Sequence, residues 1–162
     1  MKIIVKNKFV SWGGSSQVED EAGKPLYQVK GKAFSWRRKK YVQDLNGNLL
    51  YEIRNKWPTW FLHSAYIYDA QGNKVCKVKQ NLSFKKGYII DETQDDIQVN
   101  GFILNGMQVS RNRQYLGTVT KEFWALRDYF VLDVLDGSDP TFLIALVIAI
   151  DNIGDKAQGS AN

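Results

Sequence analysis

A run of nine apolar residues at positions 142–150 stands out from an otherwise alternating chain. Asp139 is a good helix N-cap, Pro140 suits the first helical position, and Gly154 suits the residue past the end. These signals predict a helix over about 140–153, although the β-branched residues in the run also suit a strand. A helix with no polar face in its middle must be surrounded by protein or lie in lipid. Because a membrane-spanning helix needs about 20 apolar residues, we expect this one at the centre of the fold.

A second pattern occurs three times, beginning at Asp20, Asp44 and Asp69. In each copy a Gly follows the Asp by three residues, aliphatic residues follow by six and nine, and Lys or Arg follows by ten. Asp bonds to backbone amides just after it, and Gly supplies the positive φ that closes a short turn. Each copy therefore predicts a β-hairpin. The two aliphatic residues have an odd spacing, so we expect each second strand to carry a bulge or to be partly buried on both faces.

Aromatic segments such as Phe34-Ser35-Trp36 precede these Asp residues and two later ones, giving five loose copies of one meander unit. About ten to twelve strands then precede the helix. A twisted sheet of that length tends to curl and close, which removes its edges. The apolar helix is the candidate filler of the closed barrel. We predict one mainly β domain over 1–154 and a flexible tail over 155–162. Asp151 is expected to bond to backbone amides or to a basic side chain at the barrel mouth.

The net charge of +5 is compatible with an anionic partner, but solubility alone would also explain it. The single cysteine, Cys76, excludes an internal disulfide and indicates a reducing compartment. The first residues lack the apolar region of a signal peptide. We therefore expect a cytoplasmic protein, either free or peripheral at the membrane.

The chain resembles the LURP-one-related family, in particular its small bacterial members, over about residues 1–153. The resemblance lies in the Asp-x-x-Gly hairpins, the Phe34-Ser35-Trp36 element and the aliphatic helix ending at Ile150-Asp151. That family is similar to the tubby C-terminal domain and the phospholipid scramblases. The resemblance implies a closed, roughly twelve-stranded antiparallel barrel around a C-terminal hydrophobic helix. Tubby-like domains bind phosphoinositides through basic residues on the barrel surface, but those positions do not transfer to this chain residue by residue.

The densest positive charge lies between Lys30 and Lys40. Six cations beside two aromatic residues could hold phosphate groups of lipid headgroups or of nucleic acid. The alternative is a solvated loop and strand edge, where Lys discourages edge pairing. Since the chain has no recognised nucleic-acid-binding motif, we expect an anionic lipid or membrane surface rather than nucleic acid. The candidate anion- or lipid-binding residues are Lys30, Lys32, Trp36, Arg37, Arg38, Lys39 and Lys40.

Lys30, Arg54 and Lys79 occupy the same position in the three repeats. They could line one rim of the barrel as a ring of cations that binds an anion. The alternative is that they simply end strands on the solvent side.

The signals for catalysis are weak. His63 is the only histidine and has no Cys or His partner at metal-ligand spacing. A hydrolase using His63 stays open as an alternative, without a Gly-x-Ser-x-Gly motif to support it. The Asp-x-x-Gly turns lack the further oxygen ligands of a calcium loop. We expect no catalytic residue, metal or cofactor, and predict a non-enzymatic binding or scaffold module. Scramblase-like membrane activity is a further alternative, which would require the apolar helix to leave its barrel.

Overall fold

The computed structural model describes residues 1–6, 15–31, 39–56, 64–81, 87–93, 95–124 and 127–159. In this part of the chain, twelve strands precede one helix, α1 (Thr141–Gly159). The strands are β1 (Lys2–Lys6), β2 (Ser15–Asp20), β3 (Pro25–Gly31), β4 (Lys40–Gln43), β5 (Leu49–Asn55), β6 (Ser64–Asp69), β7 (Lys74–Gln80), β8 (Tyr88–Asp91), β9 (Ile97–Asn100), β10 (Met107–Arg111), β11 (Gln114–Trp124) and β12 (Arg127–Val134).

The strands form one antiparallel sheet in the order β8-β7-β6-β5-β4-β3-β2-β1-β12-β11-β10-β9. Each strand pairs with its sequence neighbours, except that β1 also pairs with β12 and that β8 and β9 share no ladder among the described residues. The pairing of β1 with β12 joins the first and last strands, so the sheet curls into a nearly closed barrel. This confirms the predicted barrel, with one seam between β8 and β9.

The three repeated hairpins have the predicted turn chemistry. In the third, Asp69 Oδ1 accepts hydrogen bonds from the amides of Gln71 (3.0 Å) and Asn73 (2.8 Å), and Gly72 has a φ of +86°. The other two turns repeat this arrangement at Asp20 and Asp44. The pairing register shifts once in each hairpin, which leaves one extra residue in the second strand. The predicted bulges are thus confirmed, and the extra residues are Leu26, Leu50 and Val75.

Helix α1 fills the barrel and packs against β4 to β7, β11 and β12. Residues 142–150 are each at most 2% exposed, as a helix without a polar face requires. Its start follows the predicted punctuation. Asp139 Oδ1 accepts a hydrogen bond from the Thr141 amide (2.9 Å), and its Oδ2 accepts one from the Thr141 hydroxyl (2.7 Å).

The predicted end of this helix was wrong. The helix continues through Gly154 to Gly159, so five residues of the segment predicted to be a tail are helical. Gly154 does not adopt a positive φ, and a side chain at this position would have open space around it. Glycine inside a helix costs only about 1 kcal/mol relative to alanine, which here does not stop the helix.

Arg111, at the end of β10, closes the barrel over the first turn of the helix. Its guanidinium lies 5.1 Å from the centroid of the Phe142 ring, and the Tyr51 ring packs on the same phenylalanine at 6.3 Å. Arg111 Nε and Nη2 donate to Asp95 Oδ2 at 2.8 Å and 2.5 Å. Asn112 Nδ2 donates to the other oxygen of Asp95 at 3.1 Å. These contacts tie the β8–β9 turn to the β10–β11 hairpin above the buried helix.

Within the described residues, no helix has the length and apolar character needed to cross a membrane.

Candidate functional site

The structure places the predicted anion-binding residues in different settings. Lys30 points outward from β3, because Val29 beside it on the strand is fully buried. Lys39 reaches the outer side of β5, where its Nζ lies 3.2 Å from Glu52 Oε1. Lys32, Trp36, Arg37 and Arg38 lie outside the described residues, as does His63.

Lys40 points into the barrel rather than outward. It is 7% exposed, and its Nζ donates to Asp151 Oδ2 at 3.1 Å, next to the end of the buried part of the helix at Ile153. The expectation that Asp151 bonds to a basic side chain is confirmed by this contact. Since its charge is engaged inside the fold, Lys40 does not share a surface with Lys30 and Lys39.

A group of basic and tyrosine side chains lies on the outer side of strands β3 to β7, and we call it the basic face. Along these strands, buried residues such as Val42, Ile53, Ile67 and Val78 point inward. The residues between them therefore point outward. The basic face consists of Lys30, Lys39, Tyr41, Arg54, Tyr66, Tyr68, Lys74, Lys77 and Lys79.

Strand register aligns these side chains in two rows across the sheet. The first row runs through Lys30, Tyr41, Glu52 and Tyr68. The second row runs through Arg54, Tyr66, Lys77 and Asp91. Neighbouring strands lie about 4.8 Å apart, so the face spans about 19 Å along the sheet from β3 to β7. This is a surface wide enough to contact several phosphate groups at once.

Arginine and tyrosine form the centre of the basic face. The Arg54 guanidinium lies 4.2 Å from the centroid of the Tyr68 ring, within cation–π range. Lys74 Nζ lies 5.6 Å from the centroid of Tyr66, and the two tyrosine rings are 6.3 Å apart. These contacts hold the cations against a ring surface instead of leaving them free to sample solvent.

Three carboxylates neutralise part of this charge. Glu52 accepts hydrogen bonds from Arg54 Nε (2.8 Å) and Nη2 (2.6 Å), and Arg54 followed by Lys39 lowers the pKa of this carboxyl. Lys74 and Lys77 each donate to Glu92 at 2.8 Å, and they lower the pKa of Glu92 to about 2. Lys79 pairs with Asp91 at 2.5 Å. Six cations against three carboxylates leave this face with three excess positive charges.

The opposite side of the barrel carries the reverse balance. The outward side chains of β1, β11 and β12 and of the β2 end include Lys2 and Lys6 with Glu19, Glu21, Glu122 and Asp133. We call these six residues the acidic face. Lys6 pairs with Glu19, and Lys2 lies 3.2 Å from Glu21 Oε1. Two cations against four carboxylates leave two excess negative charges, so the positive charge of the described surface is concentrated on β3 to β7.

Sequence reasoning found Lys30, Lys39, Arg54 and Lys79 but missed the tyrosines and Lys74 and Lys77. Lys30, Arg54 and Lys79 all point outward, yet they lie on alternate strands, with Tyr41 and Tyr66 between them. The available signal was the alternation around Tyr66 and Tyr68, where aliphatic and tyrosine side chains take turns. That alternation does not give the register that places Tyr66 beside Arg54 and Lys77.

The described residues hold no cluster of side chains suited to a metal ion. The carboxylates of Asp20, Asp44 and Asp69 are engaged by the amides of their own turns. Burial raises the pKa of the Cys76 thiol to about 12, which keeps it protonated and poorly nucleophilic at neutral pH. The described surface therefore presents cations and aromatic rings, which are suited to binding rather than to catalysis.

The comparisons with known proteins agree with this architecture. A family model described as LURP-one-related matches residues 1–151. Among curated proteins, none matches this chain. An Arabidopsis thaliana protein solved by X-ray crystallography is similar in structure, with a TM-score of 0.58 and 17% sequence identity over 94% of this chain and 91% of that one. At that identity the likeness concerns the fold alone, whereas the family model covers nearly the whole sequence. The chain therefore belongs to the LURP-one-related family.

Proposed function

We propose that this protein is a non-enzymatic binding module whose basic face engages anionic phospholipid headgroups at a membrane surface. The observation that carries the proposal is the charge asymmetry of the barrel, with three excess positive charges on the basic face and two excess negative charges on the acidic face. A cation near an anionic bilayer contributes about 1 kcal/mol. Several cations on one side would therefore orient the barrel with β3 to β7 toward the lipid.

The tyrosines of the basic face support a membrane interface in particular. Tyr41, Tyr66 and Tyr68 are half-buried, and each presents an apolar ring with a polar hydroxyl. Such side chains favour the boundary between headgroups and water. A purely electrostatic surface would need cations alone, so the mixture of rings and cations fits a lipid surface better than it fits a freely diffusing anion.

The test is flotation of the full chain with vesicles of phosphatidylcholine alone and with vesicles that also contain phosphatidylserine. Wild type is expected to float with the acidic vesicles and to dissociate as salt screens the charges. The double variant Lys30→Glu with Lys74→Glu is expected to bind at least about thirtyfold more weakly, because two favourable cations are lost and two repelled carboxylates are added.

The matched control is Lys2→Glu with Lys6→Glu, which makes the same change in net charge on the acidic face. This variant is expected to bind like wild type. If acidic vesicles do not bind wild type, or if the two double variants lose binding equally, the basic face is not the lipid-binding surface.

A further inference from the structure

Strand β8 is attached to the barrel on one side only. It pairs with β7 over four positions, from Lys77 opposite Asp91 to Gln80 opposite Tyr88. Its other edge faces β9, with which it shares no ladder in the described part of the chain. A strand with one short ladder has few hydrogen bonds to break on leaving the sheet. Local opening is therefore expected here at a lower free energy than for strands paired on both sides.

Side-chain ion pairs hold β8 and the residue after it in place. Glu92 binds Lys74 and Lys77, and Asp91 Oδ2 binds Lys79. The Glu92 and Lys74 side chains are 38% and 41% exposed, and ion pairs with that access to water contribute little and are weakened by salt. These exposed pairs supplement the packing of Tyr88 and Ile90, which lie against the hydrophobic core.

Two local features work against this attachment. Glu92 has a φ of +49°, a left-handed conformation that is unfavourable for a residue with a side chain. Asp91 Oδ1 is buried and has no hydrogen-bond partner among the described residues, which leaves a desolvated acceptor unsatisfied. Both costs are relieved when the strand detaches.

Cys76 lies on β7, the strand that pairs with β8, and is part of the buried core. It is fully buried on β7, one residue before the position where the β7–β8 ladder begins. Because Cys76 is the only cysteine in the chain, its accessibility reports on this one place.

We propose that residues 88–92, which we call the β8 strap, detach from β7 while the rest of the barrel stays folded, and that the ion pairs of Glu92 keep the strap closed. The open form exposes Cys76 and the free edge of β7. The strap is a conformational device of the seam and does not rest on the proposed lipid binding, although its ion pairs use Lys74, Lys77 and Lys79 of the basic face.

The experiment measures the rate at which a thiol reagent labels Cys76 in the full native chain, across a urea series and at low and high salt. Global unfolding is followed in parallel by circular dichroism. Labelling through the open strap is expected to depend much less on urea than global unfolding does, because less surface is exposed. The rate is also expected to rise with salt. A labelling rate with the same urea dependence as global unfolding would overturn the proposal.

Glu92→Gln removes both ion pairs and keeps the shape of the side chain. It is expected to raise the labelling rate about fivefold while leaving the midpoint of global unfolding close to that of wild type. The matched control is Glu19→Gln, which removes the ion pair with Lys6 on the acidic face and is expected to leave the labelling rate unchanged. Equal effects of the two variants on labelling, or no effect of Glu92→Gln, would contradict the role given to Glu92.

Discussion

The buried part of the helix, residues 142–153, meets an ion pair near each of its two ends, but the two pairs differ in their access to water. Above the first turn, the side chains of Arg111 and Asp95 are 31% and 30% exposed. Near the other end, those of Lys40 and Asp151 are 9% and 6% exposed. Asp151 belongs to the helix itself, whereas Asp95 belongs to the β8–β9 turn. An ion pair thus closes the barrel at one end, whereas at the other an ion pair joins the helix to the inner side of β4.

Access to water determines how much stability is lost when each pair is broken. A half-exposed pair can replace its partner by water, so its net contribution is small. A buried pair has no such replacement, and removing one partner leaves a charge stranded in the interior. Other polar groups lie near Asp151. Asn55 Nδ2 donates to the Asn152 carbonyl at 3.3 Å, and burial followed by Asp151 raises the pKa of Tyr88 to about 12.

The largest expected effect comes from breaking the inner pair. Lys40→Met leaves Asp151 without this partner and is expected to lower the free energy of unfolding by roughly 3–5 kcal/mol. Arg111→Met, the matched change at the outer end, is expected to cost about 1 kcal/mol. Urea unfolding followed by circular dichroism measures both.

A second variant keeps this prediction testable if Lys40→Met fails to fold. Replacing both partners, by Lys40→Met with Asp151→Leu, removes the stranded charge and is expected to recover most of the lost stability. Equal costs for the single Lys40 and Arg111 variants would show that water access does not distinguish the two ends.

An intermediate effect is expected from the cap at the start of the helix. Asp139→Ala removes the acceptor for the Thr141 amide and hydroxyl and is expected to cost about 1 kcal/mol. The control is Asp139→Asn, which keeps an oxygen acceptor and should stay closer to wild type. The urea midpoint of both variants is the measurement, and an alanine variant as stable as wild type would exclude a capping role.

The smallest effect is a pH dependence at the outer end. Asn112, followed by Arg111, lowers the pKa of Asp95 below its ordinary value of 3.8. Because the folded state binds this proton less readily than the unfolded state does, the contribution to stability is present above that ordinary value. It is lost as the pH falls through the lowered one.

Asp95→Asn is therefore expected to reduce the acid sensitivity of the urea midpoint. The difference between wild type and variant isolates Asp95 from the other carboxylates whose pKa is lowered, such as Glu52 and Glu92. Identical acid profiles would mean that Asp95 contributes nothing to this end.

Local patterns predicted much of the fold. The turn at Asp69 and Gly72, the bulge after it and the cap at Asp139 each depend on residues within a few positions of one another. Features that depend on such short-range interactions can be predicted from a sequence. The end of the helix was misread because glycine is only a weak helix breaker, and its cost at Gly154 is small beside the stability that the buried segment gains from packing.

The candidate site was harder to predict. Lys39 and Lys40 are adjacent in sequence, yet one contacts Glu52 outside the barrel and the other contacts Asp151 inside it. Strand alternation requires that the side chains of adjacent residues point to opposite faces of the sheet. Which of the two lysines points inward depends on the register with β5.

The sequence alone predicts the barrel and its filling helix, through the apolar run, the three Asp-Gly turns and the alternation of the strands. It can do so because burial and turn geometry act over a few residues or a single element. The basic face and the seam beside β8 exist only once the consecutive strands from β3 to β9 have taken up their register, and the inner ion pair exists only once residues far apart in sequence have been brought together. Lys40 and Asp151 are separated by 111 positions. An interaction between charges depends on their distance and on the water between them, and both quantities are properties of the folded chain.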